Sequence, residues 1–309
     1  MTRMIVSFAP HIRERVTTSR IMLDVIIALC PAFIAAVLIF GPRAALVTGV
    51  CVASCVFFEW AYQKLLKKTI TVGDFSAVIT GMLLAFNLPV GIPLWQAIFG
   101  SGVAIILVKQ LFGGIGKNFA NPAITARIVM FISFPAAMAT WAPIPVDAIS
   151  SATPLELIQR GDLAALPGMW DMFIGTRMGS LGETSALALL IGGIYLLARR
   201  VITWHIPVAF IGTVFVLTAL LGIQPTFQLF AGGLLLGAIF MATDYPTSPQ
   251  TRTGRIIFGI GCGVLTVIIR AWGAYPEGVS FAILFMNVLV PFINKLTMTK
   301  PLGGIKKKP

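Results

Sequence analysis

The residues with the most chemical content fall in a few short stretches. One is Asp147-Ala-Ile-Ser150-Ser151-Ala152-Thr153-Pro154-Leu155-Glu156. Its end reads as a capping box. The Thr153 hydroxyl can accept from the backbone N–H of Glu156, proline suits the first helical position, and the glutamate can reach back to the Thr153 N–H. A second stretch is Gly113-Gly114-Ile115-Gly116-Lys117-Asn118-Phe119-Ala120-Asn121-Pro122-Ala123. There an asparagine cap and a helix-starting proline follow a glycine turn. A third is Met241-Ala242-Thr243-Asp244-Tyr245-Pro246-Thr247-Ser248-Pro249. Thr243, Asp244, Thr247 and Ser248 either cap and turn the chain or line a pocket.

Charges standing inside apolar runs include Asp24, Lys109, Arg127 and Arg270. A charge at membrane depth is a functional hypothesis that requires a partner. For Arg127 the expected partner is Asp24 or Glu59. Asp24 reads either as half of an ion pair or as a cation ligand. Lys109 and Arg270 are expected near opposite membrane faces, where snorkelling accounts for them. No Walker sequence is present, nor a GxGxxG after a strand, and His11 and His205 stand far apart. Cys30, Cys51, Cys55 and Cys262 lie in apolar segments with no ligand spacing, and read as packing residues. Redox work by such a chain needs an organic cofactor.

The elements that position these residues are membrane spans. The 309 residues are 57% hydrophobic and 11% charged, with mean hydropathy +0.93. So few charges cannot cover a water-facing surface, which excludes a soluble domain and a disordered chain. The apolar runs are continuous rather than alternating, so helices and not barrel strands satisfy the backbone in lipid. Ten spans are predicted, at 21–40, 44–62, 74–89, 94–112, 119–139, 182–198, 205–222, 226–243, 256–273 and 279–297. Runs 74–89 and 226–243 are short or interrupted. The first twenty residues carry Arg3, Arg13, Arg15 and Arg20 and no apolar run, so no signal peptide is expected.

The net charge of +12 reflects orientation rather than nucleic-acid binding. With the N-terminus inside, only Arg43, Arg160 and Arg177 fall in external loops, and both termini are cytoplasmic. An internal repeat pairs Phe75–Leu84 with Phe227–Leu236, and Gly102–Lys109 with Gly263–Arg270. Five spans per half is an odd number, so the halves are inverted. Such folds place ligands at the repeat interface, beside broken helices. The expected fold is therefore an all-α polytopic membrane protein with about ten transmembrane helices in two inverted five-helix repeats. A cytoplasmic segment (1–20) precedes the first repeat (21–139). An external loop (140–181) leads to the second repeat (182–297), and a basic cytoplasmic tail (298–309) follows.

Asp147-x-x-Ser150-Ser151-Ala152-Thr153 resembles the flavin-attachment motif of the NqrB/RnfD family. Ser7-Phe-Ala-Pro10-His11, the Gly113–Ala123 stretch, Gly179–Ser185 and Met241–Pro249 are also similar to the family, in order along nearly the whole chain. The chain starts without the longer N-terminal extension of the NqrB branch, which points to the RnfD branch. The resemblance implies a fold similar to the urea-transporter class. It also implies FMN held covalently on Thr153 through its phosphate, with Asp147 and Ser151 in the motif read by a flavin transferase. A helix starting at Pro154 would then aim N–H groups at that phosphate. A second, non-covalent flavin (riboflavin) is implied near the cytoplasmic side, with Asn118, Asn121, Thr243 and Asp244 as candidate contacts, because amides suit a ring edge that donates and accepts. The implied role is electron relay in an Rnf-type complex of the bacterial inner membrane, between ferredoxin and NAD, coupled to Na⁺ or H⁺ transport. Its partners would be the A, B, C, E and G subunits and membrane lipid. The rival readings are a solute channel or transporter on the same inverted repeat, and a structural anchor without redox role.

Overall fold

The computed structural model describes residues 17–141, 153–162, 164, 166–273 and 277–298. Every regular element among them is helical. The first pair is α1 (Thr18–Phe40) and α2 (Pro42–Leu65). Thr17 caps α1 through Arg20 N, and Gly41, at φ +76°, turns the chain directly into Pro42. A 3₁₀ turn, Val72–Asp74, leads into α3 (Ser76–Phe86). Next comes α4 (Leu94–Gly102), which continues as a π-helical stretch, Val103–Gln110. Proline then divides the chain into α5 (Pro122–Ser133) and α6 (Pro135–Ala139). Two short helices, α7 (Pro154–Arg160) and α8 (Met169–Ile174), lie in the stretch read as an external loop.

The second half contains α9 (Ala186–Ala198), α10 (His205–Leu220), α11 (Pro225–Phe230), α12 (Leu234–Leu236), α13 (Arg252–Trp272) and α14 (Val279–Thr297). A π-helical stretch, Gly237–Met241, extends α12. α1, α2, α13 and α14 are long and apolar enough to cross a bilayer. The 23 residues of α1 rise about 35 Å, more than the ~30 Å hydrocarbon core. Leu38, Leu220, Ile132 and Leu296 stand at least 70% exposed. Such a surface is costly in water and suits lipid. The chain is a polytopic helical membrane protein.

The remaining expected spans are shorter or broken. The 74–89 run forms only an eleven-residue helix, α3. The 226–243 run is interrupted at Ala231–Gly233, where Gly232 takes φ +63°. The Phe75–Gly81 and Phe227–Gly233 stretches differ in local structure. The first starts a helix from the left-handed Phe75 (φ 63°), whereas the second ends one helix and breaks before the next.

Small residues let the helices approach closely. A Cβ on Gly81 of α3 would fall 2.6 Å from the Val52 Cα of α2. Gly259 and Gly263 of α13, spaced as GxxxG, would meet Ala209 and Thr213 of α10 at 2.8 and 2.6 Å. In lipid, where apolar burial does not drive association, such contacts hold helices together.

Candidate functional site

Two polar sites lie at opposite ends of the helical bundle. Residues near the start of α13 belong to one end and those at its close to the other, roughly 30 Å apart along 21 residues.

Thr153 belongs to the second end. It is the N-cap of α7, and the capping box is formed. Glu156 N donates to Thr153 Oγ1 at 3.4 Å, and Thr153 N donates to Glu156 Oε2 at 3.0 Å. Asp147 and Ser151 lie outside the described residues. α7 is seated on the break of the 226–243 run. Leu155 packs with Ala231, Met172 and Phe230. A Cβ at Gly232 would fall 2.7 Å from Leu155 Cδ1 and 3.2 Å from Arg270 Nη2. Gln159 Nε2 donates to the Arg270 carbonyl at 3.2 Å.

A broken helix leaves carbonyls without partners, and in an apolar setting they must be satisfied. Two buried arginines do this. Arg270 donates to the Gln228 and Ala231 carbonyls at 2.8 and 3.1 Å and to Gln228 Oε1 at 2.9 Å. Arg177 donates to the carbonyls of Phe230, Glu183 (2.8 Å) and Thr184 (3.3 Å). Burial lowers the Arg177 pKa to about 10, and the nearby Glu183 carboxylate opposes that. Glu183 sits by the start of α12: a Cβ on Gly233 would meet its Oε2 at 3.1 Å. An anion there complements the helix start.

The buried charges correct the sequence expectations. Arg127 pairs with neither Asp24 nor Glu59; it donates to Asn87 Oδ1 at 2.8 Å and to Ser280 Oγ at 3.2 Å, and forms an ion pair with Glu277. Asp24 accepts from Tyr195 Oη at 2.9 Å and from Arg199 at 3.4 Å. Lys109 and Arg270 do not snorkel, being 2% and 6% exposed. Lys109 Nζ meets Glu59 Oε2 at 2.7 Å and Ser76 Oγ at 2.6 Å, and Gln110 donates to Glu59 Oε1 at 2.9 Å. Each cation is thus held at the discontinuity preceding a short helix, α3 or α12. Both π-helical stretches end at polar sites, a common placement for such wide turns.

At the other end the structure gathers Asn118, Asn121, Thr243 and Asp244. A cavity of about 300 Å³ is lined by Asn118, Asn121, Ser76, Lys109 and Asp244, among others. A smaller one of about 70 Å³ shares Asn121 and Asp244 with it and reaches Thr243. Asn121 caps α5, its Oδ1 accepting from Ala123 N at 3.0 Å and Ile124 N at 3.3 Å. Its Nδ2 donates to the Met241 carbonyl, where the π-helical stretch ends (3.3 Å). Asn118 Oδ1 is buried with no hydrogen-bond partner among the described residues. Thr243 Oγ1 donates back to the Ile239 carbonyl at 2.6 Å. Asp244 Oδ2 accepts from Thr247 Oγ1 at 3.1 Å. Burial pushes the Asp244 carboxyl up to about 6, against the lowering effect of Thr247 and the Tyr245 N–H. So Asn121 and Thr243 both cap or brace the chain and face the cavities.

Sequence reasoning passed over Glu183, Arg177, Gln110 and Glu277. Glu183 stands within the family-like Gly179–Ser185 stretch, which was the available signal. Arg177 and Glu277 lie in segments read as external loops, where a charge calls for no partner.

These features define a polytopic membrane protein with interrupted helices, buried ion pairs and cavities at both ends. The family model for the NQR2, RnfD, RnfE family matches residues 5–303, and the chain belongs to that family. It is 48% identical over 306 residues to the D subunit of the Na(+)-translocating ferredoxin:NAD(+) oxidoreductase complex of Acetobacterium woodii, covering 98% of this chain and 96% of that one. It is 42% identical to the D subunit of the proton-translocating ferredoxin:NAD(+) oxidoreductase complex of Clostridium ljungdahlii, over 96% of each chain. With the D subunit of the ion-translocating oxidoreductase complex of Stutzerimonas stutzeri it shares 41% identity, over 94% of this chain and 93% of the relative.

Proposed function

We propose that this chain is the D-type membrane component of an Rnf-type ion-translocating complex, relaying electrons between ferredoxin and NAD through FMN joined by a phosphodiester to Thr153. The observation that carries this reading is the placement of Thr153. The residue matching the family's attachment threonine opens a short helix seated on a broken span. Among the described residues its hydroxyl receives one hydrogen bond, long at 3.4 Å. Esterification therefore exchanges a weak cap for phosphate oxygens that can accept in its place. A cavity lined by Leu155 opens two residues along. When bound, the flavin supplies one- and two-electron chemistry, and the chain supplies position and electrostatics.

The topology that fits this role has about ten spans in two inverted repeats, similar to the urea-transporter fold. Both termini face the cytoplasm, and Thr153 lies outside the bacterial inner membrane, where a flavin transferase reaches it. The cavity with Asn118, Asn121, Thr243 and Asp244 would then lie at the cytoplasmic end and hold a second flavin, riboflavin. About 300 Å³ is at the lower bound of small-molecule sites, and Asn118 Oδ1, without a partner among the described residues, offers an acceptor for a ring N–H. The partners are the A, B, C, E and G subunits and lipid.

The test uses the whole complex, expressed with its transferase. After denaturing electrophoresis this chain should give a flavin-fluorescent band, and the peptide spanning Thr153 should carry the mass of FMN. Thr153→Val should lose both. A bare Thr153 in an active complex, or a fluorescent Thr153→Val band, overturns the assignment.

A further inference from the structure

Beside α7 lies a cavity of about 430 Å³ that the capping and docking contacts do not use. Its walls include Leu155, Ile158, Ile223 and Trp272, together with Gln228 and Arg270. Arg270 is 6% exposed and Gln228 4% exposed. The two terminal nitrogens of Arg270 are engaged at the break of the 226–243 run, but its Nε is buried and has no hydrogen-bond partner among the described residues. A buried N–H left unpaired costs about 1–3 kcal/mol, so such a donor marks a place where an acceptor belongs. A lining that mixes Leu155, Ile158, Ile223 and Trp272 with Gln159, Gln228 and Arg270 offers both apolar contact and hydrogen-bonding groups, which suits a planar ring whose edge gains negative charge.

We infer that this cavity receives the isoalloxazine ring of the flavin carried on Thr153, and that Arg270 is the cation that compensates the charge on the reduced ring. This rests on the Thr153 attachment proposed above. Leu155 lines the cavity two residues from Thr153, at most about 7 Å of extended chain. The ribityl phosphate arm has that gap to span. Two electrons from a neighbouring flavin or iron–sulfur carrier, with one proton taken up at the ring N5, leave one negative charge on the N1–C2=O edge. A positive group near that edge stabilises the reduced form and raises the potential. Arg270 is itself largely shielded from water, which strengthens the interaction.

The experiment measures the midpoint potential of the covalent flavin in the purified complex, by spectroelectrochemical titration with dithionite. Three variants are compared: Arg270→Gln, Arg270→Lys and Ile158→Trp. Arg270→Gln should destabilise the reduced form at least tenfold, which is about 30 mV downward for a two-electron couple. Arg270→Lys should retain most of the potential. Ile158→Trp leaves the guanidinium and the break untouched but fills the cavity. It should lower the potential and make flavin fluorescence more accessible to quenching by iodide, and it keeps the question decidable if Arg270→Gln fails to assemble. The in-gel fluorescent band should persist in every variant that assembles. A band with unchanged potential and quenching in Ile158→Trp, or unchanged potential in Arg270→Gln, overturns the ring placement and leaves the attachment intact. Loss of the band in the unaltered complex overturns the attachment itself.

Discussion

Lys109 stands where an unpaired ammonium is costly, and its surroundings explain why it is tolerated. Glu59 neutralises it, Ser76 accepts a further bond, and Gln110 and Gln63 occupy the other carboxylate oxygen. A buried pair of this kind adds little net stability, but removing one partner leaves the other charge stranded. Lys109→Met should therefore destabilise the folded protein by about 3–5 kcal/mol, with much of the loss recovered in Lys109→Met/Glu59→Leu. Unfolding of the two variants in detergent, followed by tryptophan fluorescence, checks this; equal losses would refute it. Asp244 gives a pH-dependent counterpart. Its folded-state pKa, about 6, lies above the ordinary aspartate value. The folded state binds this proton more tightly than the unfolded state, so the contribution is full below about pH 4 and is lost as pH rises through 6. The thermal stability of the unaltered protein should fall relative to Asp244→Asn across that window. A flat difference would show that Asp244 titrates normally.

At the scale of elements, the break at Ala231–Gly233 is the feature on which α7, Arg177, Arg270 and Glu183 converge. Gly232 serves twice there: φ +63° is the left-handed region, and Leu155 occupies the place a Cβ would take. Gly232→Ala should cost more than about 1 kcal/mol and loosen α7 from the bundle. Limited proteolysis between residues 142 and 168 should be faster in the variant, at a protease dose that leaves the rest of the chain intact. Gly81 makes the matching close approach of α3 to α2. Gly81→Leu should overpack that contact by about 1–3 kcal/mol, read as a lower melting temperature. α7 itself was legible in sequence, because the capping box is a local device that needs only four residues. α8 was not, since Met169–Ile174 is too short for periodicity to show.

At the scale of the molecule, the proposed topology puts α7 outside and the stretch after α2 inside. A cysteine introduced at Asp162 should react with a membrane-impermeant maleimide in intact cells, and one at Lys67 only after lysis. Cys51, Cys55 and Cys262 are buried and provide little background, and the exposed Cys30 is replaced by alanine in both variants. The opposite labelling pattern would invert the topology and place the attachment threonine in the cytosol. The sequence by itself determined the polytopic helical class, the cap at Thr153 and the family motifs, because hydropathy, capping chemistry and motif order are properties of contiguous residues. Only the tertiary structure decided where the 226–243 run breaks, which acid meets which cation, and that Asn118, Asn121, Thr243 and Asp244 border adjoining cavities. Those depend on residues far apart in the chain: Lys109 and Arg270 gave the same local signal as snorkelling side chains, and only Glu59, Gln228 and Ala231, brought in by packing, show that they are buried instead.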